Sequence, residues 1–287
     1  MNNILNRNYY CHSVASVSEN NIPMKTIQFK DYIVRYLDYI DPEDYSDSKD
    51  TLVMLHGLGA SAERWLRVVP GLSKYYRLVI PDIIGSGYSD KPTVEYTIEF
   101  FLEFIQDFLE QLGVERMNLL GSSFGGFLAA EFAIRFADRV KKLVLAAPAG
   151  IMQSSTRVLD QYIMSALYPT HDNALRAFKE MAFDPNIVSE ETVKDFVNRM
   201  RLPNSKYAFM STLLGIRDSR DFLSRISRIR SPTLIIWGLN DKMIPFNYAR
   251  ELEVIPNSKL VIMERCGHTP YVEKPEEFKD IVLKFLS

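Results

Sequence analysis

Cysteine is scarce in this chain. Its two cysteines among 287 residues, Cys11 and Cys266, stand far apart and in unlike contexts, which argues against a disulfide scaffold and fits a reducing compartment. An excess of one charge is missing too, because 34 Lys and Arg against 36 Asp and Glu leave a formal net charge of −2. Nothing in that balance points to nucleic acid or to an anionic membrane surface as a partner. The tightest basic group, Arg225, Arg228 and Arg230, reads as a solvated helix face. No apolar run approaches the ~18 residues that a membrane helix needs. The N-terminal "MNNILNRNYYCHSVASVSENN" lacks the apolar stretch of a secretory signal. The expected location is therefore cytoplasmic, without membrane insertion. Internal repeats, low-complexity tracts and flexible linkers are also missing. What is present is 47% apolar and 24% charged residues, a globular balance with material for a large core.

Short β-branched runs alternate with amphipathic helical stretches, the pattern of an α/β fold with a mostly parallel sheet covered on both faces. The strand candidates are "TIQFKDYIVRYLDY" (a hairpin or bent pair), "TLVMLH", "YRLVIPD", "MNLLG", "KKLVLAAP", "PTLIIWG" and "KLVIME". Several are continuous apolar runs bounded by turn residues, as strands buried on both faces require. "TIEFFLEFIQDFLEQLG" has helical spacing and stops at Gly113, while "PEEFKDIVLKFLS" reads as a closing helix with Pro275 at its start. Between about Ile151 and Ile229 no strand is evident, only helical segments rich in Met, Phe, Tyr and Leu. A core of residues 1–150 and 230–287 interrupted by a helical subdomain at 151–229 is the expected organisation.

The segment "LLGSSFGGFLAAEFA" carries the first chemical signal. Gly121-Ser122-Ser123-Phe124-Gly125 fits G-x-S-x-G after a strand and before a helix, the setting in which a serine is raised on a sharp turn. Glycines two positions either side of Ser123 remove side chains that would collide. Ser122 would need glycines where Leu120 and Phe124 stand, so Ser123 is the candidate nucleophile and Ser122 a packing neighbour.

A serine hydroxyl needs a base, and the base an orienting acid. Of four histidines, His12 is in the polar tail and His171 in the helical insertion. His268 follows the last strand candidate in a glycine-flanked loop, the favoured place for the base. Asp241, just past "LIIWG", is the favoured acid, with Asp218 and Asp221 as weaker alternatives in helical sequence. The order Ser123, Asp241, His268 matches the order that one serine-hydrolase fold uses. The glycine-rich turn Gly57-Leu58-Gly59 is placed to aim the Leu58 amide across the site, with the Phe124 amide as second oxyanion donor. His56 beside that turn reads as structural, buried and hydrogen-bonded.

With these residues on view, the chain resembles the α/β-hydrolase superfamily. The resemblance runs through "HGLGASAERW", "IPDIIGSGYSDKP", "GSSFGGFLAAEFA", "LIIWGLNDKMIP" and "CGHTPYVEKPEEF", in order. It implies the α/β-hydrolase fold with an inserted helical cap (lid), Ser123 as nucleophile, Asp241 as acid, His268 as base, and backbone oxyanion donors at Leu58 and Phe124. Ser123 at the elbow argues against haloalkane dehalogenases and epoxide hydrolases, which carry Asp there. The cap and elbow sequences look similar to carboxylesterases and to meta-cleavage-product (C–C) hydrolases. "HGLGAS" departs from the "GPGA" of the second group, and Thr269-Pro270 stands where that group has an aromatic residue after its histidine. Ester hydrolysis is therefore expected first.

The implied reaction cleaves short to medium acyl or aryl esters through an acyl-enzyme, needing neither metal nor organic cofactor. C–C bond hydrolysis is the alternative, and a receptor-like ligand-binding protein with little turnover is the alternative from another class. The partner is a small-molecule ester substrate. Tyr162, Met164, Leu167, Tyr207 and Met210 are expected in the substrate pocket, with Tyr168, Phe183 and Phe209 also available. Arg64, Trp65 and Tyr88 are candidates for the pocket mouth.

Overall fold

The computed structural model describes residues 24–41, 49–219 and 221–287; Cys11, His12 and the rest of the polar N-terminal stretch lie outside the described residues. Eight strands form one sheet: β1 (Met24–Phe29), β2 (Tyr32–Tyr39), β3 (Thr51–Leu55), β4 (Arg77–Pro81), β5 (Met117–Ser122), β6 (Val140–Ala146), β7 (Thr233–Gly238) and β8 (Ser258–Met263). Their order is β1-β2-β4-β3-β5-β6-β7-β8. β1 and β2 form an antiparallel hairpin and β2 lies antiparallel to β4, while every other neighbouring pair is parallel.

The apolar runs explain why the central strands are buried on both sides. Side chains alternate along a strand, so Leu143 and Leu145 of β6 and Ile235 and Trp237 of β7 join one cluster, with Phe104 and Phe127. Val144, Ala146, Leu234 and Ile236 join the opposite cluster, with Trp65, Leu72 and Phe278.

The helices are α1 (Val69–Leu72), α2 (Ile98–Gln111), α3 (Phe124–Arg135), α4 (Arg157–Leu167), α5 (His171–Met181), α6 (Glu190–Met200), α7 (Ser205–Asp218), α8 (Phe222–Arg225), α9 (Pro270–Glu273) and α10 (Pro275–Leu286). α2 starts where the Thr97 hydroxyl accepts the Phe100 amide and buries Phe101, Leu102, Ile105, Phe108 and Leu109 at helical spacing. The helices α4 to α8 all fall between β6 and β7. Thr156, Thr170 and Ser189 cap α4, α5 and α6 by accepting an amide from the first turn. Tyr162 of α4, Phe178 of α5 and Phe196 of α6 hold the insertion together, with ring centroids 5.2–6.2 Å apart. Among the described residues no helix is long and apolar enough to cross a membrane.

Arg225 departs from the expectation of a solvated basic face. Its guanidinium grips both carboxylate oxygens of Glu131 on α3 at 2.7 and 2.8 Å, and Glu131 is buried. A buried carboxylate needs such a bidentate partner, so Arg225 is spent inside the structure. Arg228 and Arg230 are exposed, as expected.

Candidate active site

Parallel strands leave their carboxyl ends at one edge of the sheet, and the loops from β3, β5, β7 and β8 meet there. β5 runs straight into α3 through Ser123, which takes φ +53° and ψ −118°, a conformation that costs a non-glycine residue about 1–3 kcal/mol. The surroundings hold it there. The Ser123 amide donates to the Ala146 carbonyl at 3.0 Å, and the Ser123 carbonyl accepts the amides of Phe127 and Ala149 at 3.0 and 2.9 Å. A Cβ at Gly125 would overlap the carbonyl oxygens of Leu55 and His56, and one at Gly121 would overlap the Gly125 carbonyl. The glycines thus admit backbone, where the sequence pattern had suggested they remove colliding side chains. Ser122 is buried, whereas Ser123 is half-buried on the cavity wall.

Asp241 and His268 come from separate loops, after β7 and β8. Asp241 Oδ1 accepts the amides of Met243 and Ile244 at 2.8 and 2.9 Å, and its Oδ2 meets His268 Nδ1 at 2.7 Å. Both side chains are almost fully buried. Since Oδ1 is committed to backbone, Oδ2 is oriented toward the imidazole, and a proton on Nδ1 leaves Nε2 as the free acceptor. The His268 amide donates to the Met181 carbonyl at the end of α5, so the insertion braces this loop. Ser123 and His268 line one cavity of 1530 Å³, together with Leu58, Phe124 and Tyr162. Asp218 and Asp221 are exposed and paired with Arg217 and Arg225, which leaves Asp241 as the carboxylate at the imidazole.

The turn after β3 is fixed from below and from above. His56 is fully buried; its Nε2 accepts the Ile83 amide at 3.0 Å, and its Nδ1 lies 2.8 Å from the Gly57 carbonyl. An imidazole that accepts at Nε2 carries its proton on Nδ1, so His56 donates to Gly57. That carbonyl belongs to the same peptide as the Leu58 amide. Burial pushes the His56 pKa below its ordinary 6.5 and keeps the ring neutral. From the insertion, the Tyr162 hydroxyl donates to the Leu58 carbonyl at 2.6 Å; burial pushes its pKa up to about 12, against the opposing charges of Arg199 and Arg64. Among the described residues the amides of Leu58 and Phe124 donate to no protein acceptor, which leaves both available to a developing oxyanion.

The cavity lining differs from the expected set. Tyr162 is on it, but Met164, Leu167, Tyr207 and Met210 are not. On α4 the lining residues are Leu159, Asp160, Tyr162 and Ile163, and the three larger apolar ones follow the i, i+3, i+4 pattern of one helix face. Met164 sits two residues from Tyr162, on the opposite side, and is exposed. Leu167 falls at the end of the helix. Tyr207 is exposed, with its hydroxyl on the Val94 carbonyl, and Met210 packs against the core. Tyr168, Phe183 and Phe209 also lie off the wall, Phe209 being buried over Gly59.

Of the mouth candidates only Arg64 lines the cavity. Trp65 is buried and stacked on Tyr271, and Tyr88 bonds Asp195 through its hydroxyl. Not anticipated was a charged cluster beside the turn. Arg35 donates to Asp82 at 2.7 Å and to Glu63 at 2.8 Å, while Arg199 pairs with Asp195. Burial opposes the Arg35 charge, yet Asp82 and Glu63 hold its pKa above the ordinary range; burial pulls that of Arg199 down. Among the described residues no group of three or more His, Cys, Asp or Glu is placed to hold a metal.

Comparison with known proteins adds a family and relatives. The family model described as alpha/beta hydrolase fold matches residues 50–275. A 2-hydroxy-6-oxononadienedioate/2-hydroxy-6-oxononatrienedioate hydrolase from Pseudomonas putida is 34% identical over 260 residues, covering 85% of this chain and 90% of the relative. A 2-hydroxy-6-oxo-2,4-heptadienoate hydrolase from Pseudomonas putida F1 is 32% identical over 246 residues, covering 82% and 88%. A meta-cleavage product hydrolase from Pseudomonas fluorescens IP01, solved with acetates, superposes with a TM-score of 0.80 at 26% identity, covering 91% of this chain and 97% of that one.

These names overturn the expectation that put carboxylic esters first. Of the departures behind it, the missing "GPGA" falls in the turn that carries Leu58, whose free group is its backbone amide whatever the side chain, and the other falls just after His268. The same serine, imidazole and amides serve a ketone as well as an ester. The motifs therefore carry no information about the bond that breaks.

Proposed function

This chain belongs to the alpha/beta-hydrolase fold family and is a hydrolase; on that premise we propose that it cleaves a carbon–carbon bond in a 2-hydroxy-6-oxo-dienoate of the meta-cleavage type. The observation that carries this reading is the likeness to 2-hydroxy-6-oxo-dienoate hydrolases over more than four-fifths of the chain. The cavity that holds Ser123 and His268 together supports it.

In the proposed reaction the 6-oxo carbon is the electrophile. Before attack, the substrate's 2-hydroxyl proton leaves and C5 gains one, giving a 2,6-dioxo form whose C5–C6 bond can break. His268 Nε2 takes the Ser123 proton as the oxygen adds to C6. The resulting oxyanion rests between the Leu58 and Phe124 amides, each such donor supplying about 3–4 kcal/mol to the transition state. The C5–C6 electron pair then flows through the C3–C4 double bond to the 2-oxo oxygen, which is protonated, and 2-hydroxypenta-2,4-dienoate departs. Water, deprotonated by His268, releases the acyl group from Ser123 as a carboxylate. Asp241 holds the imidazole tautomer and stabilises its cation. Both donors are kept in place by backbone geometry, so little reorganisation accompanies the step.

The test is turnover of 2-hydroxy-6-oxohepta-2,4-dienoate, followed as loss of its conjugated absorbance with acetate as the second product. The native chain is expected to consume it and Ser123→Ala is not. A folded native chain that leaves the compound intact would refute the reading.

A further inference from the structure

The loop that carries His268 is held by a carboxylate that the reaction above does not use. Glu273 closes the short helix α9, and its side chain turns back over the loop. Oε2 accepts the Gly267 amide at 2.8 Å and Oε1 the Thr269 amide at 3.1 Å, one on each side of His268. The same Oε2 accepts the Phe183 amide at 2.9 Å, from the insertion and 90 residues away in sequence. The His268 amide itself goes to the Met181 carbonyl at 3.3 Å. Three consecutive amides of the loop are thus bonded, two to Glu273 and one to the insertion, and Glu273 is bonded to the insertion as well.

A local cap accounts for only part of this set. A side chain that accepts the amide at the start of its own helix needs no partner elsewhere in the fold. The Phe183 amide lies just past α5, whose last residue, Met181, supplies the carbonyl for His268. Gly267 shows how closely the two segments meet: a Cβ there would overlap the Met181 carbonyl oxygen and crowd Glu273 Oε1 and the Phe183 nitrogen. On the other side, a Cβ at Gly238, the end of β7, would overlap the Gly267 carbonyl oxygen. The loop is therefore clasped between the sheet and the insertion. Amide bonds to a carboxylate are roughly twice as strong as those to a neutral acceptor. Asp241 holds the imidazole at Nδ1 alone, and a ring held at one atom can pivot. The backbone on either side of His268 decides where Nε2 stands, and Glu273 fixes that backbone.

We propose that Glu273 is a positioning residue that keeps His268 Nε2 in line with Ser123, and that it does so only while residues 181–183 of the insertion are seated on it. The inference rests on the proposed roles of Ser123 as nucleophile and His268 as base. Seating the insertion completes the base, and a chain whose insertion is displaced holds Ser123 without a working partner.

The experiment compares Glu273→Ala, Glu273→Gln, Phe183→Pro and Phe183→Ala. Proline at 183 removes the amide that Glu273 accepts and leaves the Gly267 and Thr269 bonds alone. Ala182, with ψ 152°, already has the backbone that precedes a proline. Alanine at 183 removes the same ring, with its contact to Arg265, but keeps the amide. Glutamine keeps an oxygen for the Gly267 and Phe183 amides and gives up the Thr269 bond. Two rates are read at a temperature where thermal melting shows each variant folded. One is turnover of 2-hydroxy-6-oxohepta-2,4-dienoate, resolved into kcat and KM; the other is reaction of Ser123 with phenylmethanesulfonyl fluoride.

A base displaced by about 1 Å costs about 100-fold in rate. Glu273→Ala is expected to lose about that much in kcat and in sulfonylation, with KM within about 3-fold of native. Glu273→Gln and Phe183→Pro should each lose about 10-fold and Phe183→Ala less than about 2-fold. A folded Glu273→Ala within about 3-fold of native in both rates would overturn the positioning role. If that variant does not fold, native rates in Glu273→Gln would do the same. Equal rates for Phe183→Pro and Phe183→Ala would overturn the dependence on the insertion. Sulfonylation of native Ser123 without dienoate turnover would refute the proposed reaction alone, since the second rate still reads Glu273. A native Ser123 inert in both assays would overturn the inference together with the reading beneath it.

Discussion

Replacing Asp241 by asparagine tests the site through a single oxygen. In the native chain Oδ1 accepts two backbone amides, from Met243 and Ile244, and Oδ2 meets His268 Nδ1 at 2.7 Å. The asparagine must put its oxygen on one side and its NH₂ on the other. Turning the NH₂ toward the two amides would leave both unsatisfied in a buried place, at about 1–3 kcal/mol each. The side chain is therefore expected to keep its oxygen on the amides and present the NH₂ to His268. Two donors cannot share that contact, so Nδ1 gives up its proton and the ring carries it on Nε2. An imidazole in that tautomer has no lone pair for the Ser123 hydroxyl. The fold should be unchanged, because shape and both backbone bonds survive. A wrong-tautomer base costs a serine hydrolase about 10⁴-fold in kcat, equivalent to about 5.5 kcal/mol of barrier. The assay is kcat on 2-hydroxy-6-oxohepta-2,4-dienoate, with thermal melting as the control for folding. Nitrogen NMR of the His268 ring should show the proton on Nε2. A kcat within 10-fold of native, or a ring still protonated on Nδ1, would refute the reasoning.

Two further outcomes follow from the turn after β3. Tyr162→Phe removes the 2.6 Å bond to the Leu58 carbonyl; stability should fall by about 1–3 kcal/mol and kcat should fall while KM barely moves, so an unchanged kcat would detach Tyr162 from the turn. His56 is held neutral, with its pKa below the ordinary 6.5, so its contribution is complete above about pH 6.5 and is lost as pH falls toward the lower folded-state value. The loss proceeds at up to about 1.4 kcal/mol per pH unit, and urea unfolding at about pH 7.5 and 5.5 should show a larger decline for the native chain than for His56→Asn; equal declines would refute this assignment.

The sheet was legible because its strands are buried on both faces and so read as plain apolar runs bounded by turns. The serine elbow was legible for a related reason: the room around Ser123 depends on residues 121 and 125, two positions away along the chain. The juxtaposition of Asp241 and His268 depends on two loops 27 residues apart, and chain order at strand ends foreshadowed it. The cavity wall was not legible. Met164 and Tyr162 are equally apolar candidates on paper, yet a two-residue step on a helix turns a side chain to the far face. Which face of α4 looks inward is set by its packing on Phe178 and Phe196, from helices later in the chain. Arg225 misled for the same reason, since its partner Glu131 is 94 residues away.

By itself, then, the sequence determined the α/β class and the strand and helix order, and it singled out Ser123, Asp241 and His268 as site candidates, since these are written in periodicity and in short-range turn chemistry. The tertiary structure alone decided the neutral tautomer of His56, the bond from Tyr162 to the Leu58 carbonyl and the bidentate pairing of Arg225 with buried Glu131. Each of these depends on which distant groups fold into contact, and on which donors and charges are left without a partner once they have.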